Sequence, residues 1–231
     1  MNVDSIQPTL SLDPGGSPVL VDLQEEQRRD SGFSVQGLDA ILANAMLLLA
    51  LARQRRLLIV HAAYRRDFDN VPKRPLEYVT AEGRPAFSDK DSALIAICAE
   101  VGPRDDEAVA YKNDASAFSD GDLAPLLSIG KVEWLIVCGV WTEACIAATV
   151  RDAITNGFHV LLVKDACGSG TAAMHQVGIL NLANRLAGGA VASTDTALRL
   201  IAGDTAEVWS SDKPVPILFG YDDAEKLYEA L

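Results

Sequence analysis

Cysteine is scarce in this sequence: four residues (98, 138, 145 and 167) in 231, with no pair at CxxC spacing. That placement argues against a disulfide framework and leaves single thiols available for chemistry in a reducing compartment, with the cytoplasm as the expected location. Positive charge is also in short supply. Twenty Lys and Arg against 32 Asp and Glu give a net charge of −12, which argues against a nucleic-acid backbone as partner. No apolar run is long enough for a membrane span: "AILANAMLLLALA" falls short of the ~20 residues required and leads straight into "RQRR". The opening "MNVDSIQPTLSLDPGGSP" has neither the basic nor the apolar region of a signal peptide.

The remaining composition, 49% apolar and 23% charged, is that of a globular domain long enough to bury a core. Short β-rich runs alternate with longer helical patterns. Strands are expected at 18–24, 56–64, 107–112, 133–140, 159–168 and 190–192. Helices are expected at 38–53, 89–100, 142–156, 171–186 and 194–201. Near-continuous apolar strands separated by helices predict an α/β fold, a three-layer α/β/α sandwich with a mostly parallel sheet of about six strands. The expected organisation is an N-terminal extension at 1–17, one domain at 18–203, and a C-terminal arm at 204–231 that packs on the domain or on a neighbouring subunit. The stretch 65–88 is polar, proline-bearing and without a period, and loops of that length are usually functional or partner-facing.

In open parallel sheets, ligands collect at the carboxyl ends of the strands. Asp22 closes "VLVD", Lys112 closes "AVAYK", and Cys145 follows "LIVCGV" on the first turn of the next helix, with Thr142 as the expected N-cap. Singly, each has an ordinary structural explanation: a turn Asp, a solvated Lys, a small core Cys. Together they suit nucleophilic catalysis. A helix start and a nearby ammonium favour a thiolate. A carboxylate can take the thiol proton and return it to a leaving amine, and the N–H groups of the turn can bind an oxyanion.

The segments "VLVDLQ", "YKNDASAF", "GVWTEACIAATVRDAITNGFHVLLVKDACGSG" and "GAVASTDTAL" together resemble the successive motifs of the isochorismatase-like cysteine hydrolases, over roughly 18–202. The resemblance implies an α/β/α fold and hydrolysis of small amides, ureides or related C–N bonds without a cofactor. It makes Asp22 the general acid/base, Lys112 its electrostatic partner and Cys145 the nucleophile. It also implies a cis peptide before Trp141 and an oxyanion hole built from the backbone N–H groups of Trp141 and Cys145. Isochorismatases proper lack the nucleophilic cysteine, so Cys145 favours amide chemistry. Nicotinamidases carry a metal-binding Asp-x-His where this chain has "HAAYRRDFDN", so no metal is expected and His61 reads as a packed or gating residue.

Substrate contacts are expected from Gln24, Tyr64, Arg65, Arg66, Phe118 and Trp141. Gln24 resembles the family's Asp-x-Gln and is expected to orient the carboxylate. The arginines could pair with a substrate carboxylate, and Phe68, Tyr78 and Phe87 of the long loop could wall a small pocket. The preferred substrate is a small ureide of the biuret or N-carbamoyl type. A maleamate-type carboxamide acid, a non-catalytic binding or assembly protein on the same scaffold, and a thiol redox protein stay open as alternatives. The resemblance also implies a homo-oligomer, dimer or tetramer, with no nucleic-acid or membrane partner.

Overall fold

The computed structural model describes residues 9–12, 16–29 and 32–231. Its strands are β1 (Thr9–Leu10), β2 (Ser17–Val21), β3 (Val60–Tyr64), β4 (Ala108–Lys112), β5 (Trp134–Val140), β6 (His159–Gly168), β7 (Ala190–Ala192) and β8 (Ala206–Glu207). Its α-helices are α1 (Glu26–Arg29), α2 (Leu38–Gln54), α3 (Leu123–Ile129), α4 (Ala147–Thr155), α5 (Ala172–Ala183), α6 (Thr194–Ala202) and α7 (Ala224–Glu229).

Six of the strands form one parallel sheet in the order β4-β3-β2-β5-β6-β7, as expected. The strand alternation divides the core into two layers. Leu20, Ile136, Cys138, Leu161 and Val163 face α2 and α6, whereas Val19, Val21, Leu135, Val137 and Leu162 face α4, α5 and α7. Helix α2 buries Leu38, Ile41, Leu42, Ala45, Leu48, Leu49 and Ala52, a stripe at the helical period. Helices α5 and α6 begin at Thr171 and Ser193, whose hydroxyls accept from the Met174 and Thr196 N–H groups.

The chain order departs outward from β2, with β3 and β4 on one side and β5, β6 and β7 on the other. The topological switch point therefore lies between β2 and β5, where a ligand crevice is expected. Gly139 makes their close approach possible. It has φ 124°, and a Cβ there would stand 2.0 Å from the Val21 carbonyl oxygen.

One expected element differs and one helix is additional. The segment 89–100 is not one helix: it forms two short 3₁₀ turns, Ala93–Ile95 and Ala99–Val101. Its backbone instead pairs with the chain beyond β2, through Glu25 N–H to Ala96 O and Cys98 N–H to Leu23 O, both 2.9 Å. These long-range bonds outweigh a short helix of few turns. Helix α3 was not among the expected elements. Of the N-terminal extension, residues 1–8 and 13–15 lie outside the described residues. Thr9–Leu10 pairs antiparallel with Ala206–Glu207, and the chain beyond Gly203 returns to bury Trp209, Ile217 and Leu227. Among the described residues no helix is long and apolar enough to cross a membrane.

Candidate active site

Asp22 stands just past the end of β2 with φ 53°, a left-handed conformation uncommon for a residue with a side chain. Its N–H is fixed by the Ala62 carbonyl at 2.8 Å, and its own carbonyl accepts from Gln24 N–H at 2.9 Å. This bend turns the carboxylate across the end of β3 towards β4. There Lys112 Nζ donates to Asp22 Oδ2 at 2.8 Å and to the Asp114 carbonyl at 3.2 Å, and sits 4.3 Å over the Tyr64 ring. The other carboxylate oxygen, Oδ1, is buried and has no hydrogen-bond partner among the described residues.

The third member comes from beyond β5. The Val140–Trp141 peptide is cis, as the family resemblance implies. Residues Thr142–Ile146 then form a π-helical turn, in which the Ile146 N–H reaches the Trp141 carbonyl at 3.1 Å before α4 begins. Thr142 is not the N-cap expected. It is buried inside the turn, and its hydroxyl donates to the Gly168 carbonyl at 2.9 Å. The wider turn places the Cys145 thiol against both Asp22 and Lys112.

The electrostatics correct one expectation. Rather than favouring a thiolate, the site pushes the Cys145 thiol well above its ordinary pKa, by burial first and by the Asp22 carboxylate second, with Lys112 opposing. The Lys112 ammonium is held above its usual range: burial acts against the charge, but Asp22 and Cys145 more than offset it. The resting arrangement is thus a neutral thiol set against the Asp22 carboxylate.

These groups open onto a pocket of about 260 Å³ lined by Asp22, Gln27, Phe33, Tyr64, Phe87, Trp141 and Cys145, among others. Of the expected substrate contacts, Tyr64 and Trp141 line it. Phe87 contributes as well, packed 5.0 Å from Tyr64 and 5.4 Å from Phe33.

The remaining expected contacts are engaged elsewhere. Gln24 is fully buried. Its amide donates to the Tyr64 and Ile95 carbonyls and accepts from Tyr64 N–H, so it clamps β3 rather than the Asp22 carboxylate. Arg66 is 2% exposed and paired with Glu77, with further bonds to the Val71 and Pro72 carbonyls. Arg65 lies over the Tyr111 ring at 4.1 Å, and Phe118 packs on Phe158. Phe68 lies beneath Arg66, and Tyr78 is exposed.

Gln27, Phe33, Ser88 and Asp114 are pocket residues that the sequence reading did not single out. Asp114, two residues beyond Lys112, carried a usable signal; Phe33, in an irregular segment, carried none. Gln27 accepts the Trp141 indole N–H at 2.7 Å and so fixes the ring.

His61 is buried and bonded to Glu107 at 2.9 Å, with Arg53 on the same carboxylate. Glu25, Cys98 and Glu100 also converge, and the cation among them is Arg28, 2.8 Å from Glu100. Cys138 faces the α2 layer while Cys145 packs in the opposite one, so the sheet separates these two thiols.

Residues 18–196 match the isochorismatase domain family. The chain belongs to the isochorismatase family. It is 32% identical over 153 residues to maleamate amidohydrolase of Pseudomonas putida, covering 63% of this chain and 68% of the relative. It is 29% identical over 175 residues to N-carbamoylsarcosine amidase of an Arthrobacter species, covering 73% and 64% respectively. This isochorismatase-family chain thus aligns with about two thirds of the length of those relatives. Its fold matches the solved isochorismatase family protein of Desulfovibrio vulgaris strain Hildenborough with a TM-score of 0.72 at 23% identity, over 80% of this chain and 97% of that one.

Proposed function

We propose that this chain is a cysteine amidohydrolase that cleaves a small, non-peptide C–N bond through a thioester. The observation that carries the reading is the Lys112–Asp22 pair with its unpartnered Oδ1, set against Cys145 at a small pocket. Family membership, with an amidohydrolase and an amidase among the relatives, supports the same class.

Lys112 fixes Oδ2 by its hydrogen bond, leaving Oδ1 as the proton acceptor. The Cys145 thiol gives its proton to Asp22 as sulfur bonds to the amide carbon. The backbone N–H groups of Trp141 and Cys145 are assigned to the oxyanion. Asp22 then passes the proton to the leaving nitrogen, the C–N bond breaks, and a thioester remains. Water loses a proton to Asp22, adds to the thioester carbon, and the carboxylic acid leaves as the thiol is restored. No step calls for a metal or cofactor.

Uncharged ureides are the preferred substrates. The pocket's charged lining residues, Asp22 and Asp114, are acidic, a poor setting for a second carboxylate. Arginine contacts no longer support that preference, because Arg65 and Arg66 are engaged elsewhere. Similarity to the maleamate enzyme keeps carboxamide acids as the second reading. Four free thiols suit a reducing cytoplasm.

An ammonia-release screen across biuret, N-carbamoyl compounds and small carboxamides, with Cys145→Ser alongside, tests both levels. Release by the natural chain that disappears in Cys145→Ser is the expected result. Turnover that survives the substitution would remove the mechanism, and turnover confined to carboxamide acids would remove the ureide preference.

A further inference from the structure

A chain of hydrogen bonds joins the C-terminal helix to the turn that carries Cys145. Tyr228 on α7 lies with its hydroxyl 3.2 Å from His175 Nε2 on α5, the two rings meeting edge to face. His175 Nδ1 lies 2.8 Å from Thr142 Oγ1, and Thr142 donates to the Gly168 carbonyl. The direction follows from the last link. A carbonyl only accepts, so the Thr142 proton is committed there, and Thr142 Oγ1 must accept from His175 Nδ1–H. Nε2 is then the acceptor for the Tyr228 O–H. Burial holds the His175 pKa down at about 4, in keeping with a neutral ring carrying one proton.

Both ends of this chain are anchored. Lys164 Nζ donates to the Tyr228 carbonyl at 2.9 Å, and Ala224 and Leu227 of α7 are buried. Helix α5 lies flush on the turn, since a Cβ on Gly178 would come within 2.8 Å of Thr142 Cγ2. The turn therefore rests on α5, on the end of β6 and, through His175, on the last helix.

We propose that Tyr228 and His175 are positioning residues, which act through Thr142 to hold the Cys145 turn in line with Asp22 and Lys112. Through α7 the C-terminal segment is thereby part of the support of the reacting thiol. The inference rests on Cys145 being the nucleophile.

Tyr228→Phe tests it, since the ring stays and only the hydroxyl goes. The expected result is a kcat lowered about tenfold by misalignment, with KM little changed. Iodoacetamide alkylation of Cys145, followed by peptide mass, slows in parallel. His175→Asn keeps a donor at the Nδ1 position and retains more of both than His175→Ala. A purely structural role would lower the melting temperature and leave kcat and alkylation of the folded protein untouched; that outcome in Tyr228→Phe would overturn the proposal. Faster alkylation would overturn it too. If the natural chain turns over no amide, the amidohydrolase reading fails alone, because alkylation still reports the thiol's alignment.

Discussion

Lys112 Nζ donates to Asp22 Oδ2 at 2.8 Å with the two side chains only 1% and 4% exposed. A buried charge pair of this kind is costly to break from one side, because the remaining charge is left uncompensated. Lys112→Met is therefore expected to destabilise the fold by about 3 kcal/mol, read from urea unfolding, and to abolish turnover. The double variant Asp22→Leu with Lys112→Met recovers much of the stability and none of the activity. Equal stability of Lys112→Met and the natural chain would contradict the pairing.

Asp22→Asn separates acidity from catalysis. Asp22 raises the Cys145 thiol pKa and Lys112 opposes it, so removing the carboxylate charge leaves the ammonium unanswered. The thiol becomes more acidic, and the pH profile of alkylation moves to lower pH. Turnover moves the opposite way, falling about a thousandfold for want of the proton carrier. An alkylation profile displaced to higher pH would show that Asp22 does not face the thiol.

Gly139 tests the geometry that brings β2 and β5 together. A methyl group there would stand 2.0 Å from the Val21 carbonyl, on a residue with φ 124°. Gly139→Ala is expected to cost about 3 kcal/mol or more, because both the contact and the backbone are unfavourable. Any fraction that folds should react slowly at Cys145, since the strand carrying the turn is displaced from Asp22. A melting temperature close to that of the natural chain would mean that the strands part without cost.

The sheet and the meeting of Asp22, Lys112 and Cys145 were legible because each rests on a local signal. Apolar runs such as "LIVCGV" mark strands covered on both faces, and strand ends single out Asp22, Lys112 and Cys145. The pocket walls were less so. Arg66 reads as a solvated or substrate-facing cation until Glu77, eleven residues on, is seen to enclose it. Gln24 sits two residues from Asp22 in sequence, yet the bend at Asp22 sends its amide to the Tyr64 backbone. Thr142 carries the signature of an N-cap, but the π-turn draws its hydroxyl to Gly168 across the sheet. In each case the partner is set by a loop or a long-range crossing that leaves no period in the chain.

His175 links the same support to the pH dependence of stability. The unfolded imidazole takes up its proton near pH 6.5, and the folded one only at about 4. Between these values the unfolded chain binds more protons, so stability falls as the pH falls, by on the order of 2 kcal/mol over the window. Glu107, held down at about 2 by Arg53 with a further contribution from His61, adds a separate loss below about pH 4.5 as its carboxylate is protonated in the unfolded chain first. His175→Gln should flatten urea-unfolding stability between pH 4 and 6.5 and leave the loss at lower pH in place. A variant whose stability still declines across that window as steeply as the natural chain's would place the titrating group elsewhere, with His61, also buried and shifted downward, as the next residue to substitute.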